Sequence, residues 1–258
     1  MLALDATHQL LAILCGSLVG ASLALIGGGG SILALPLLLY VVGLRDPHLA
    51  IGTSALVVSI NAFANLIPHA RAGHVRWREA AAFALAGVLG ALAGSSLGKW
   101  LDGQRLLVLF AALMLVVAAL MWRRRPVVAL PPPARRFSRL GSVGALTGGL
   151  AGFFGIGGGF LVVPGLMFAG GLDIVEAIGS ALLAVGAFGA TTAINYAASG
   201  LIDWRIAVEF IGGGLVGGWL GAMGAHRLAR RRGVLNRLLA VVIATVALLM
   251  LWREVGRL

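Results

Sequence analysis

The chain has 258 residues, 60% of them hydrophobic and only 11% charged, and its mean hydropathy is +1.00. A soluble domain is about half apolar and about a quarter charged, so this composition excludes an ordinary soluble domain and sets the chain in a bilayer. The net charge of +11 lies in arginine tracts that flank apolar runs. This placement argues for membrane topology and against a nucleic-acid partner.

In chain order, residues 1–7 carry Asp5 and no Lys or Arg, so they do not read as a signal peptide. Apolar runs then lie near 8–26, 31–43, 50–70, 78–98 and 105–122. After a basic, proline-rich stretch they resume near 141–155, 159–170, 177–199, 206–226 and 238–252. The run at 50–70 forms a helix of about 31 Å, enough to cross a hydrocarbon core of about 30 Å. The runs at 31–43 and 159–170 are too short to span upright, and each pairs with the run before it as a hairpin broken at glycines. The single Cys15 reads as a packing residue, and no Cys/His cluster offers a metal site.

The two sets of runs are copies. Ile26-Gly27-Gly28-Gly29-Gly30-Ser31 and Pro36 recur as Phe154-Gly155-Ile156-Gly157-Gly158-Gly159 and Pro164, 128 positions on. Ala50-Ile51-Gly52-Thr53 matches Ala177-Ile178-Gly179-Ser180 at an offset of 127. Gly73, Trp77, Phe83, Gly87, Gly90 and Gly94 match Gly200, Trp204, Phe210, Gly214, Gly217 and Gly221 at the same offset. Five segments per copy is an odd number, so the second copy is expected to be inverted. The expected fold is an all-α polytopic membrane protein with two inverted-topology repeats, 1–122 and 140–258. A cytoplasmic linker at 123–139 contains Pro131-Pro132-Pro133 and favours extended backbone.

This arrangement sets the connections at 71–79, 123–139 and 226–237 on one face. They hold fourteen of the 20 Lys and Arg. The positive-inside rule makes that face cytoplasmic and leaves both termini outside.

Duplicated glycine breaks in a membrane chain mark a transporter, whose site forms at the midplane between the repeats. Bare backbone at Gly29 and Gly30, and at Gly157, Gly158 and Gly159, offers N–H groups at the start of a half-helix. Those groups and the helix dipole favour an anion, and Ser31 adds a hydroxyl. Asn61 and Asn65 share one helix face, with Thr192 and Asn195 in the comparable stretch of the second repeat. Buried amides either join helices or meet a ligand, and both readings stand. Thr53-Ser54 and Ser180 read as helix starts. No acidic or basic residue falls mid-span, which disfavours a cation pump. No protease or nucleophile motif suggests an enzyme, and no cofactor is indicated.

The pattern Gly155-Ile156-Gly157-Gly158-Gly159 with Pro164, its variant at 27–36, Ala50-Ile51-Gly52-Thr53-Ser54, and the Gly73/Trp77 and Gly200/Trp204 connections together resemble the sulfite exporter TauE/SafE family. The resemblance covers roughly residues 10–252. It implies a multi-pass permease of the bacterial cell inner membrane that moves a small sulfur-containing anion such as sulfite or an organosulfonate. Partners on this reading are that anion, membrane lipid and a second copy of the chain in a homodimer. The alternatives are a cation or neutral-solute permease, or a non-transporting membrane assembly factor. Gly28 stands where Ile156 does, and Ser31 where Gly159 does, so the first break departs from the pattern.

Overall fold

The computed structural model describes residues 6–122, 133–228 and 232–255. Among these residues there are ten α-helices, one 3-10 segment and no strand. The first repeat contributes α1 (Ala6–Ile26), the 3-10 segment Gly27–Leu33, α2 (Ala34–Tyr40), α3 (Pro47–Arg71), α4 (Trp77–Trp100) and α5 (Gly103–Trp122). The second contributes α6 (Pro133–Phe154), α7 (Gly159–Gly170), α8 (Ile174–Ala197), α9 (Trp204–Leu228) and α10 (Arg232–Val255). Helix α6 opens at Pro133, so residues 133–139 of the expected linker are helical. Residues 123–132 lie outside the described residues, as do the two chain ends.

Among the described residues five helices are long and apolar enough to cross a membrane, namely α1, α3, α4, α8 and α9. In α4, exposed Trp77 and Trp100 stand at the two ends, about 35 Å apart along the axis. Tryptophan at both ends of an apolar helix suits the two membrane interfaces. The chain is a multi-pass helical membrane protein. Helices α2 and α7, at 7 and 12 residues, are too short to span.

Within the spanning set, α3 and α8 are the central pair, buried over 72% of their spans against 39% for α4. Small residues let them touch. Gly52 lies against Tyr196 and Gly189 against Ala55 and Ser59, while Ser59 Oγ donates to Gly186 O at 2.8 Å. The pairing order is antiparallel, and Ser59 and Gly186 occupy the same place in the two repeats.

The outer helices exchange between repeats. Gly16, Ser17, Gly20 and Ala21 of α1 meet Phe210, Gly217, Gly214 and Gly221 of α9. Gly144, Ala145, Gly148 and Gly149 of α6 meet Phe83, Gly90, Gly87 and Gly94 of α4 in the matching way. Both pairs run parallel. At most of these glycines, Gly149 and Gly214 excepted, the backbones approach so closely that a Cβ would press on a facing carbonyl.

The expected helix starts move upstream. Asp46 caps α3 by accepting from His48 N (2.8 Å) and Leu49 N (3.2 Å), and Asp173 caps α8 by accepting from Val175 N (2.8 Å) and Glu176 N (2.9 Å). Thr53 and Ser180 therefore lie inside their helices and clasp the other repeat. Asp203 N donates to Thr53 Oγ1 (3.0 Å), and Arg76 N donates to Ser180 Oγ (2.9 Å). The Arg76 side chain also donates to Glu176 at 2.7 Å, and that carboxylate holds its pKa above the usual arginine value.

Candidate substrate site

The two glycine breaks have different backbones. In the first repeat the chain passes from α1 through the 3-10 segment straight into α2. Gly29 and Gly30 lie in that segment, with Gly30 pressed on Ser22 and Leu23 of α1, and Ser31 is fully buried. The carbonyls of a 3-10 turn serve the N–H groups that follow, so α2 has no open N-terminus. The first break thus departs from the second in backbone as well as in sequence.

In the second repeat Gly155, Gly157 and Gly158 have φ of +65°, +64° and +68°, a left-handed backbone that glycine adopts without strain. Gly158 is the N-cap of α7 and supplies no side-chain cap. Its carbonyl accepts from Leu161 N (2.8 Å) and Val162 N (3.0 Å). Among the described residues, no backbone carbonyl accepts from the N–H groups of Gly157, Gly158, Gly159 or Phe160. All four residues are buried. A buried helix start normally finds a cap, and these donors lack a backbone one.

This open end sits at the crossing of α3 and α8. A Cβ on Gly157 would stand 2.8 Å from Val58 Cγ1 and 3.1 Å from Val185 Cγ1. Val58 and Val185 are themselves at equal positions in the two repeats.

Asn61 follows one turn after Val58 and is fully buried. Its amide packs on Gly214 of α9, and neither Nδ2 nor Oδ1 has a hydrogen-bond partner among the described residues. Asn65 packs on Gly218 and donates from Nδ2 to Asn61 O at 2.9 Å. Thr192, 1% exposed, also has an unpartnered hydroxyl. The antiparallel crossing puts Asn65 and Thr192 toward opposite ends of the central pair.

Asn195 stands apart from the others. It accepts from Lys99 Nζ through Oδ1 (2.9 Å) and its backbone O (3.1 Å), and its Nδ2 donates to Ser95 Oγ (2.7 Å) and Ser96 Oγ (3.1 Å). It fastens α8 to α4. The structure thus gathers the second glycine break around Val58, one turn from Asn61, and keeps Asn195 out of that group. Sequence reasoning missed Ser59, whose hydroxyl bridges the crossing. Its signal was the equal repeat position it shares with Gly186.

The sulfite exporter TauE/SafE family model matches residues 12–250. The chain belongs to this family. The TauE/SafE relatives include a probable membrane transporter protein of Xylella fastidiosa strain Temecula1, 54% identical over 93% of both chains. A counterpart in strain 9a5c is 53% identical over the same shares. The Bacillus subtilis probable membrane transporter protein YunE is 24% identical over 81% of this chain and 86% of its own. No solved structure matches this TauE/SafE chain. Family and relatives agree that it is a membrane transporter.

Proposed function

We propose that this transporter moves a small sulfur-containing anion, sulfite or an organosulfonate, across the bacterial inner membrane by a secondary mechanism. The observation that carries the anion is the buried, uncapped start of α7 at the centre of the molecule. Four adjacent N–H groups without backbone acceptors, with the helix dipole behind them, suit an oxyanion and repel a cation. The family's own description, a sulfite exporter, points to the same chemistry.

Gly157, Gly158 and Gly159 bind the oxyanion through backbone. Asn61 and Asn65 extend the polar surface along α3, and Thr192 does so along α8. Gly29, Gly30 and Ser31 close the opposite wall. Asn195 holds helices together.

The repeats are of inverted topology, with 123–139 cytoplasmic. The antiparallel crossing of α3 and α8 at matching repeat positions supports this. So does the 3.1 Å pair between Arg136 at the start of α6 and Glu79 at the start of α4, which joins two of the basic connections. Alternating access follows from exchange of the two repeats' conformations about the crossing.

Flux into sealed liposomes of purified protein tests the reading, with sulfite, an organosulfonate, thiosulfate and a divalent metal cation as solutes. Uptake of a sulfur oxyanion is expected. Cation flux alone would reverse the sign of the site, and no flux of any solute would make the chain an assembly factor.

A further inference from the structure

A second basic feature lies away from the central site. A cleft of about 620 Å³ opens between the end of α2, the α2–α3 connection, the start of α5 and the end of α10. Tyr40, Arg45, Pro47, Gln104, Leu107 and Arg253 line it. Its volume suits a small ligand.

These arginines lie on the face that is otherwise poor in basic residues. Most of the other basic groups on that face are accounted for. Lys99 is bonded to Asn195 and Ser199, Arg205 pairs with Glu209 at 3.6 Å, and Arg257 lies outside the described residues. Arg105 is exposed and does not line the cleft. Of the described basic residues on that face, Arg45 and Arg253 line one cavity.

The described carboxylates nearby, Asp46 and Asp102, form no ion pair with them. Asp46 accepts from the backbone at the start of α3, and Asp102 from Gln104 N (3.1 Å) and Arg105 N (3.3 Å) at the start of α5. Among the described residues neither Arg45 nor Arg253 enters an ion pair. Arg253 is oriented by Tyr40, whose ring centroid lies 5.4 Å from its Cζ. Two guanidinium groups around one cavity repel each other until an anion joins them, and their planar donor forks fit oxyanion geometry.

We propose that this cleft is an oxyanion-binding site, with Arg45 and Arg253 as the paired ligands, Gln104 as a neutral donor and Tyr40 as a positioning residue. The ligand is a sulfite- or sulfate-type ion or the phosphate of an anionic lipid headgroup. The site is distinct from the start of α7 and does not depend on what the protein transports.

Titration calorimetry on purified protein tests it, with sodium sulfite and sulfate in one arm and short-chain phosphatidylglycerol micelles in the other. Binding at α7 does not involve Arg45 or Arg253, so any loss of binding in their variants reports the cleft. Arg45→Gln and Arg253→Gln should each weaken binding about tenfold, and the exposed Arg105→Gln should not. Dependence on both arginines in the sulfite arm assigns a free oxyanion, and dependence in the lipid arm alone assigns a headgroup. Binding indifferent to both arginines, or no binding by the parent in either arm, overturns the proposal. Liposome flux is read separately. Arginine-dependent binding in a protein that transports no sulfur oxyanion would leave the cleft standing and remove the transport reading.

Discussion

Asn61 and Phe188 occupy the same position in the two repeats and pack on the same glycine of the opposing repeat, Gly214 and Gly87. One is a buried amide with no partner for either polar atom among the described residues, and the other is a fully buried ring. The architecture accepts an apolar group here, so the amide is not required for packing.

An unpaired buried polar group costs about 1–3 kcal/mol. Asn61→Leu should therefore leave Tm equal to or above the parent's, by about 2–4 °C for each kcal/mol recovered. It should also abolish flux. Differential scanning fluorimetry and liposome uptake check both halves of the statement. A lower Tm with flux intact per folded molecule would make Asn61 an interhelical contact and remove it from the site.

Gly212 and Gly213 are adjacent in α9 and face different surroundings. A Cβ at Gly212 meets nothing within 4 Å, whereas one at Gly213 overlaps the backbone of Ile13 in α1. Gly212→Ala should be neutral or stabilising by up to about 1 kcal/mol, from helix propensity alone. Gly213→Ala forces α1 and α9 apart and should lower Tm by several degrees, or prevent recovery of folded protein. Equal behaviour of the two variants would contradict the close α1–α9 approach.

Sidedness follows from an exposed pair at nearly equal repeat positions, Ala72 after α3 and Ala198 after α8. In a Cys15→Ser background, Ala198→Cys should react with an impermeant thiol reagent in intact cells, and Ala72→Cys only after lysis. Labelling of both from the same side would rule out inverted repeats.

Much of this fold is legible in the chain because membrane helices declare themselves by length and hydropathy, and duplication doubles each signal. The segment at 159–170 coincides with α7, and the segment at 50–70 with α3 to within three residues. Local chemistry decided what the pattern could not. Asp46 and Asp173 reach forward to cap, so α3 and α8 start before their apolar runs and turn Thr53 and Ser180 into clasps between repeats. The two glycine breaks look alike in composition, yet only the second adopts left-handed backbone. Asn195 shares polarity with Asn65, but its direction is set by Lys99, a residue 96 positions away that no local pattern connects to it.

The open start of α7 makes the most direct claim on function, and Gly158→Ala cannot test it. A Cβ there would lie 2.5 Å from Ala151 Cβ, on backbone at φ +68°, so the fold itself would suffer. Val58→Asp is the better probe. A Cβ on Gly157 would stand 2.8 Å from Val58 Cγ1, so a carboxylate at position 58 lies beside the open N–H groups. It pairs with them and competes with the anion for the same donors. If the site binds an oxyanion through these groups, sulfite affinity at the centre should fall about tenfold while Tm without ligand stays near the parent's. Affinity follows from sulfite-induced thermal stabilisation, because a ligand that binds only the folded state raises Tm in proportion to its occupancy. Measured in an Arg45→Gln/Arg253→Gln background, that stabilisation reports the central site alone. Unchanged sulfite stabilisation in the aspartate variant would show that the α7 donors are not the anion's ligands.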